Sequence, residues 1–336
     1  MKRRDVKNFL LNTAEQTGLL RLAQIPLHEA GNHLFVLAYH RVAEAEDPLS
    51  KRLYDLVSAS PRQFDEQMQL LSTCFNPVSA EDVLNALNGG KPLPSYAVLV
   101  TVDDGYRDFK DVIFPITRKY GIRPVLFVPT AYVGDGVFWW DRLFNAITST
   151  DFQEVDTVLG RLSLRGEPAR LAAFDALANH VRLQSFEKAH KDIEQLCDAI
   201  TPDSCRDVPH TLDWDELRSL SAEGTTIAPH THSHPILTHI ALERARDEIR
   251  VSRNMIKEQI GQPLPIFAYP DGRDHAVSQD LSTMLKAEGV QMAFTMSDRI
   301  SCLKQDDPCL FPRITPYSDS LARFHLRLTS LQAARN

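Results

Sequence analysis

The sequence predicts an α/β fold, a parallel sheet covered by helices and curled toward a barrel, with one helical insertion. The runs "HLFVLAYH" (33–40), "YAVLVTVDDG" (96–105) and "PVLFVP" (124–129) are nearly continuous in apolar residues. Strands of that kind are buried on both faces. They alternate with stretches whose apolar residues recur at helical spacing. The number of such units, with no glycine-rich dinucleotide loop, favours a barrel over a doubly wound sheet.

After the first strand, "PRQFDEQMQLLSTCF" (61–75) reads as a helix, with Pro61 in its first turn and Phe64, Met68 and Leu71 on one face. "SAEDVLNALNGG" (79–90) has a Ser79 cap, acids in the first turn and glycines at its end. The strand 96–105 follows, then a helix over 107–121 that Pro115 should bend or break. Beyond the strand 124–129, residues 139–210 are charged, helix-rich and poor in strand signals, which marks an insertion on the barrel. The alternation resumes with strand "TTIAP" (225–229), helix 241–261, strand "PIFAYP" (265–270), helix 278–289 and strand "VQMAFTM" (290–296). The expected organisation is an N-terminal helical segment at 1–30, a barrel at 31–320 carrying the insertion, and a C-terminal tail at 321–336.

The 336 residues, 43% of them hydrophobic, suffice for a sizeable core. A formal charge of -7 lacks the basic footprint of a nucleic-acid binder. The cysteines, Cys74, Cys197, Cys205, Cys302 and Cys309, are odd in number and form no C-x-x-C, which argues against disulfides and a thiolate zinc site. Charged residues interrupt the N-terminal apolar stretch, so no signal peptide is expected, and no run is long enough to span a membrane. The expected location is cytoplasmic. Val6 to Leu22 form an amphipathic stretch that either packs on the protein's own body or docks peripherally at the inner membrane surface through Lys2, Arg3 and Arg4.

Three predicted strands end in reactive groups: His40, the pair Asp103–Asp104, and His230. In α/β barrels the C-terminal ends of strands carry the active site. "PHTHSHP" (229–235) packs three histidines into five positions. Pro235 disfavours helical geometry at His234, so a tight turn has to bring His230 and His234 together, leaving His232 facing away or in support. Two imidazoles and one carboxylate from the aspartate pair would leave positions open for water and substrate. The other carboxylate could take the water's proton, and a histidine could protonate the leaving group. That division suits hydrolysis of an amide or ester.

"TVDDG" (101–105), "HTHSHP" (230–235) and "FAYPDG" (267–272) together resemble the motifs of the NodB-homology polysaccharide deacetylases, carbohydrate esterase family 4. The first two lie about 125 residues apart, and the resemblance extends from about His33 to Arg313. It implies a deformed (β/α) barrel, with Asp103 as general base and Asp104, His230 and His234 as metal ligands. Pro270 would shape a groove wall, Tyr269 would line the substrate cleft with it, and the Asp271 N–H would stabilise the oxyanion. The metal expected is Zn2+, with Ni2+, Co2+ or Mn2+ as alternatives.

Two departures accompany the resemblance. The family's arginine in the third motif falls at Ala268, and Arg313 is the candidate replacement as tether of Asp103. The usual L-x-H histidine near the C-terminus is absent. "LAYHRV" resembles the first-strand motif of a subgroup typified by biofilm poly-N-acetylglucosamine deacetylases, which makes His40 the expected acid over His325. Trp214 in "LDWDEL" either lines the site or opens a helix capped by Asp213, and Trp139, Trp140 and Asp141 offer sugar stacking or core packing.

The expected function is metal-dependent removal of N-acetyl groups from amino sugars of a glycan or exopolysaccharide precursor. The alternatives are deformylation or deacetylation of a lipid-linked sugar, and glycan binding without catalysis.

Overall fold

The computed structural model describes residues 32–44, 57–183, 186–201, 210–316 and 320–335. The N-terminal segment, with its expected amphipathic helix, lies outside the described residues. The chain begins with strand β1 (His33–Tyr39), short strands β2 (Arg41–Val42) and β3 (Val57–Ala59), and helix α1 (Pro61–Cys74). Ser60 and Gln63 close a reciprocal cap on α1, with Pro61 where no N–H is needed. Strand β4 (Asn76–Pro77) leads to α2 (Ala80–Leu87), capped in the same way by Ser79 and Asp82.

Strand β5 (Ala97–Asp103) is followed by a π-helical turn, Phe109–Ile113, and then α3 (Phe114–Lys119). The expected bend at Pro115 takes a different form. Phe114 closes the wide turn onto Phe109, and Pro115 sits in the first turn of α3, where its missing N–H leaves no bond unmade. Strand β6 (Val125–Val128) precedes the insertion. The insertion holds α4 (Trp139–Ser149), a hairpin of β7 (Glu154–Thr157) and β8 (Gly160–Ser163), α5 (Glu167–Leu183) and α6 (Phe186–Ile200). The hairpin is a correction to a purely helical reading: its strands are short and largely exposed, so no apolar alternation announces them.

The frame resumes with α7 (Trp214–Ala222), β9 (Thr226–Pro229), α8 (Leu242–Gln259), β10 (Ile266–Ala268), α9 (Gln279–Ala287), β11 (Met292–Phe294), β12 (Ser301–Cys302) and α10 (Leu321–Arg335). The C-terminal segment is therefore helical, and Phe324 and Leu328 of α10 join the main core with Phe64 and Met68 of α1.

The main sheet runs β12-β1-β5-β6-β9. It is parallel except for β12, which is antiparallel to β1. Register decides where the strand ends fall. Tyr39 lies beside Val102, Asp103 beside Phe127, and Val128 beside Pro229. His40, Asp103, Asp104 and His230 thus emerge at one edge. β10 and β11 form a separate parallel pair, and single bridges at Phe294–Phe311 and Leu37–Ile314 carry the ring back to β1. No ladder joins β9 to β10 among the described residues, so the barrel is deformed and open there. Leu34, Val36, Leu99, Phe127, Ala268 and Phe294 fill the interior, while Phe35, Leu37, Val98 and Val100 face the outer helices. The insertion has its own apolar cluster, which includes Tyr106 from the frame.

Candidate active site

Asp103 ends β5, and Asp104 turns out of the strand with φ +76°, followed by Gly105 at φ +72°. A side chain added at Gly105 would come within 3.1 Å of Val128, so the turn beneath the aspartates needs glycine on both counts. Both aspartates are buried.

Arg313, 0% exposed, grips Asp103 in bidentate fashion. Its Nη1 donates to Oδ1 and its Nη2 to Oδ2, each at 2.7 Å. The guanidinium also donates to the Thr295 carbonyl at 3.2 Å and the Thr101 hydroxyl at 3.2 Å. Burial works against the charged carboxylate, but the adjacent guanidinium outweighs it and holds Asp103 well below the usual carboxylate range. Arg313 thus reaches the aspartate from the segment between β11 and β1, while Ala268 has no side chain that could. His40 follows β1, with Nε2 3.9 Å from Asp103 Oδ2 and its backbone N–H donating to Ser58 Oγ at 2.9 Å.

Replacing Arg313 with Ala should destabilise the fold by about 3–5 kcal/mol, because Asp103 would remain as a buried, uncompensated charge. Denaturant midpoints of the two proteins measure this, and an unchanged midpoint would contradict it. The folded Asp103 titrates below its unfolded counterpart. The pair's stabilisation is therefore complete at neutral pH, begins to fade as the unfolded carboxyl protonates, and is lost as pH falls through the folded carboxyl's range.

On the other side of the aspartate pair, Asp104 Oδ1 lies 3.7 Å from His230 Nε2 and 3.4 Å from His234 Nε2. One ligand atom from each of Asp104, His230 and His234 lies within 4.8 Å of the others, and this is the one such cluster among the described residues. The His230 Nδ1–H donates to the Ala268 carbonyl at 2.7 Å, which turns its Nε2 lone pair toward Asp104. Burial lowers the His230 pKa to about 4, so the ring is neutral at pH 7. Asp104 Oδ1 is buried without a hydrogen-bond partner. A neutral imidazole pair and a carboxylate with an unsatisfied oxygen fit a divalent cation in donor type and number.

The turn 230–234 replaces helical spacing as the device that pairs the histidines. Thr231 and His234 take φ +67° and +60°, and the His230 and His234 rings lie 4.9 Å apart. The Thr231 hydroxyl accepts from the His234 N–H at 3.0 Å. His232 turns elsewhere, its Nδ1 3.0 Å from the Thr130 hydroxyl.

The loop after β10 brings Pro270 and Asp271 to the same rim. Asp271 takes φ +60°, and its N–H makes no hydrogen bond among the described residues. Gly272, at φ +67°, packs so close to Met296 that a Cβ would lie 3.1 Å from its side chain. Tyr269 needs correcting as a cleft residue. Its ring is buried against Phe267, and its hydroxyl donates to the Cys309 carbonyl at 3.0 Å, so it braces the loop from beneath. Trp214 opens α7 behind the Asp213–Glu216 cap and packs against the main core, the helix-start role. His325 is buried on α10 against Phe75. Phe75 precedes Asn76, which pairs with Ala97 at the opposite end of β5 from Asp103. That separation is about 20 Å of strand.

The insertion supplies a wall that the sequence shows only as "VFWWD". Tyr132 stacks on Phe138 at 4.3 Å, Phe138 on Trp140 at 4.4 Å, and Trp140 meets the His234 ring edge-on at 5.2 Å. The Trp140 indole donates to the Tyr106 hydroxyl at 2.8 Å, which donates to Asp141 at 2.9 Å. Phe138, Trp140 and Asp141 are buried, so they pack the insertion onto the His234 side of the cleft; Trp139 is half-buried beside them.

The family model described as "Polysaccharide deacetylase" matches residues 90–293, more than half of the chain. The chain belongs to the polysaccharide deacetylase family. Among solved structures, the chain resembles the Streptococcus pyogenes deacetylase PplD in complex with acetate, with TM-score 0.58 and 17% identity over 88% of this chain and 97% of that one. It also resembles IcaB from Ammonifex degensii, with TM-score 0.56 and 18% identity over 90% and 98%. These likenesses concern the fold. The poly-beta-1,6-N-acetyl-D-glucosamine N-deacetylase of Escherichia coli K12 is 33% identical over 89 residues, 26% of this chain. The match spans 13% of that relative's length. Among the described residues, no helix of the chain is long and apolar enough to cross a membrane.

Proposed function

We propose that this chain is a divalent-metal-dependent N-deacetylase that removes acetyl groups from amino sugars of a glycan or exopolysaccharide precursor. The observation that carries the reading is the pairing of two environments across adjacent aspartates: Asp104 with two histidine rings, Asp103 with Arg313 and His40. The curated relative that acts on poly-N-acetylglucosamine supports an N-acetylated sugar polymer as the substrate class.

Asp104, His230 and His234 would hold the metal, with Zn2+ the leading choice on donor type. Bound there, a divalent ion supplies a Lewis acid for the acetamide carbonyl and acidifies water. The chain's own residues do the rest. Asp103, fixed by Arg313, takes the proton of the attacking water. The Asp271 N–H donates to the carbonyl oxygen as it gains charge. His40 gives a proton to the departing nitrogen, so acetate and a free amine leave. The chelator-treated protein should release little acetate from N-acetylglucosamine oligomers, and added Zn2+, Co2+ or Ni2+ should restore release. Equal release by stripped and reloaded protein would overturn the metal dependence.

A further inference from the structure

The turn that carries both histidines is held from behind by a carboxylate that no sequence motif marks. Glu248 of α8 is 2% exposed. Its Oε2 accepts from the backbone N–H of His232 at 2.9 Å and of Ser233 at 2.7 Å. Its Oε1 accepts from the Ser233 hydroxyl at 2.7 Å and from the half-exposed Arg244 guanidinium at 3.2 Å. The turn has left-handed backbone at Thr231 and His234, on either side of these two amides. Left-handed non-glycine residues persist only where their surroundings over-determine them. Successive amides in such a turn point into one concavity, which an anion fills. On its other flank the turn's carbonyls are fixed by Thr130 N and Ala131 N, at 3.3 and 2.9 Å.

We infer that Glu248 is a positioning residue for the metal site, holding the 230–234 turn in the geometry that brings His230 and His234 onto Asp104. The inference rests on the metal reading proposed above. Glu248 is bonded to neither imidazole: it bonds two of the three residues between them, His232 and Ser233. Without it, two half-buried amides lose their acceptor and the turn can relax toward ordinary backbone, which separates the rings. Supporting groups of this kind carry about 10- to 100-fold in metal affinity.

The test is Co2+ affinity, read by competition with a chelator, together with the visible spectrum of the bound ion and the Tm of the metal-free protein. Three variants of the full chain are compared with wild type. Glu248→Ala should bind Co2+ about 10- to 100-fold more weakly, with an altered spectrum. Glu248→Gln keeps one oxygen able to accept from both amides, and should recover most of the affinity. Ile249→Ala removes a buried neighbour on the same helix without touching the turn, and should lower Tm while leaving affinity and spectrum unchanged. Wild-type affinity in Glu248→Ala would overturn the inference, as would an equal loss in Ile249→Ala, which would make affinity a mere readout of stability. A wild-type protein that takes up no Co2+ would overturn the metal reading and this inference with it. Uptake equal in wild type and Glu248→Ala would overturn this inference alone.

Discussion

Asp103→Asn is expected to lower acetate release by about 10²- to 10⁴-fold, the range that a positioned general base supplies. The substitution keeps the shape of the side chain and removes its capacity to take a proton. It also changes the Arg313 contact. The guanidinium now donates to two carboxylate oxygens, whereas an amide offers one oxygen and turns its NH2 toward a donor. Arg313 is fully buried, so the variant leaves it a partly uncompensated charge and should unfold at lower denaturant concentration. Activity must therefore be measured where circular dichroism shows the variant folded, with its metal content determined on the same sample. Because Asp103 is not one of the three clustered donors, Asp104, His230 and His234, metal content should stay near wild type. Full activity in folded, metal-loaded Asp103→Asn would remove Asp103 as the base.

The second large effect is expected at the histidines, and its value lies in the contrast among three neighbours. His230→Ala and His234→Ala should each weaken metal binding by at least about 100-fold, more than loss of an outer-shell support, and acetate release should fall with it. Each removes a nitrogen that lies within 3.7 Å of Asp104 Oδ1. His232→Ala removes a ring that faces Thr130, and should keep both metal and activity. Metal analysis after gel filtration separates these outcomes directly. Metal lost from His232→Ala and retained in His234→Ala would reverse the assignment and require a different turn.

Some of this was legible in the chain because the signals are local. The strands were visible because burial on both faces leaves nearly unbroken apolar runs. Their last residues, His40, Asp103 and His230, marked a common edge because parallel strands align their C-terminal ends. The turn at 230–234 could be anticipated from Pro235, since a residue before proline avoids helical geometry; His234 takes φ +60° instead. The Asp213 cap of α7 was readable for the same reason, being a side chain bonded three residues along its own backbone.

Other features had no local signal. The hairpin in the insertion is too short and exposed to impose alternation. Tyr269 sits in a motif that points to the cleft, yet its hydroxyl is bound to Cys309, 40 residues away.

By itself the sequence determined the order of the main strands and helices of the frame, the chemistry of the strand ends, and which residue types could hold a metal. All of these depend on neighbours along the chain. The sequence offered Arg313 only as a candidate tether; the tertiary structure decided that it meets Asp103 across 210 positions, that Glu248 braces the histidine turn, and that Trp140 packs against His234. Periodicity along a chain reports whether a side chain is buried. It carries no information on which buried groups face each other, because that is set by how the open ring of strands curls and by which helices cover it.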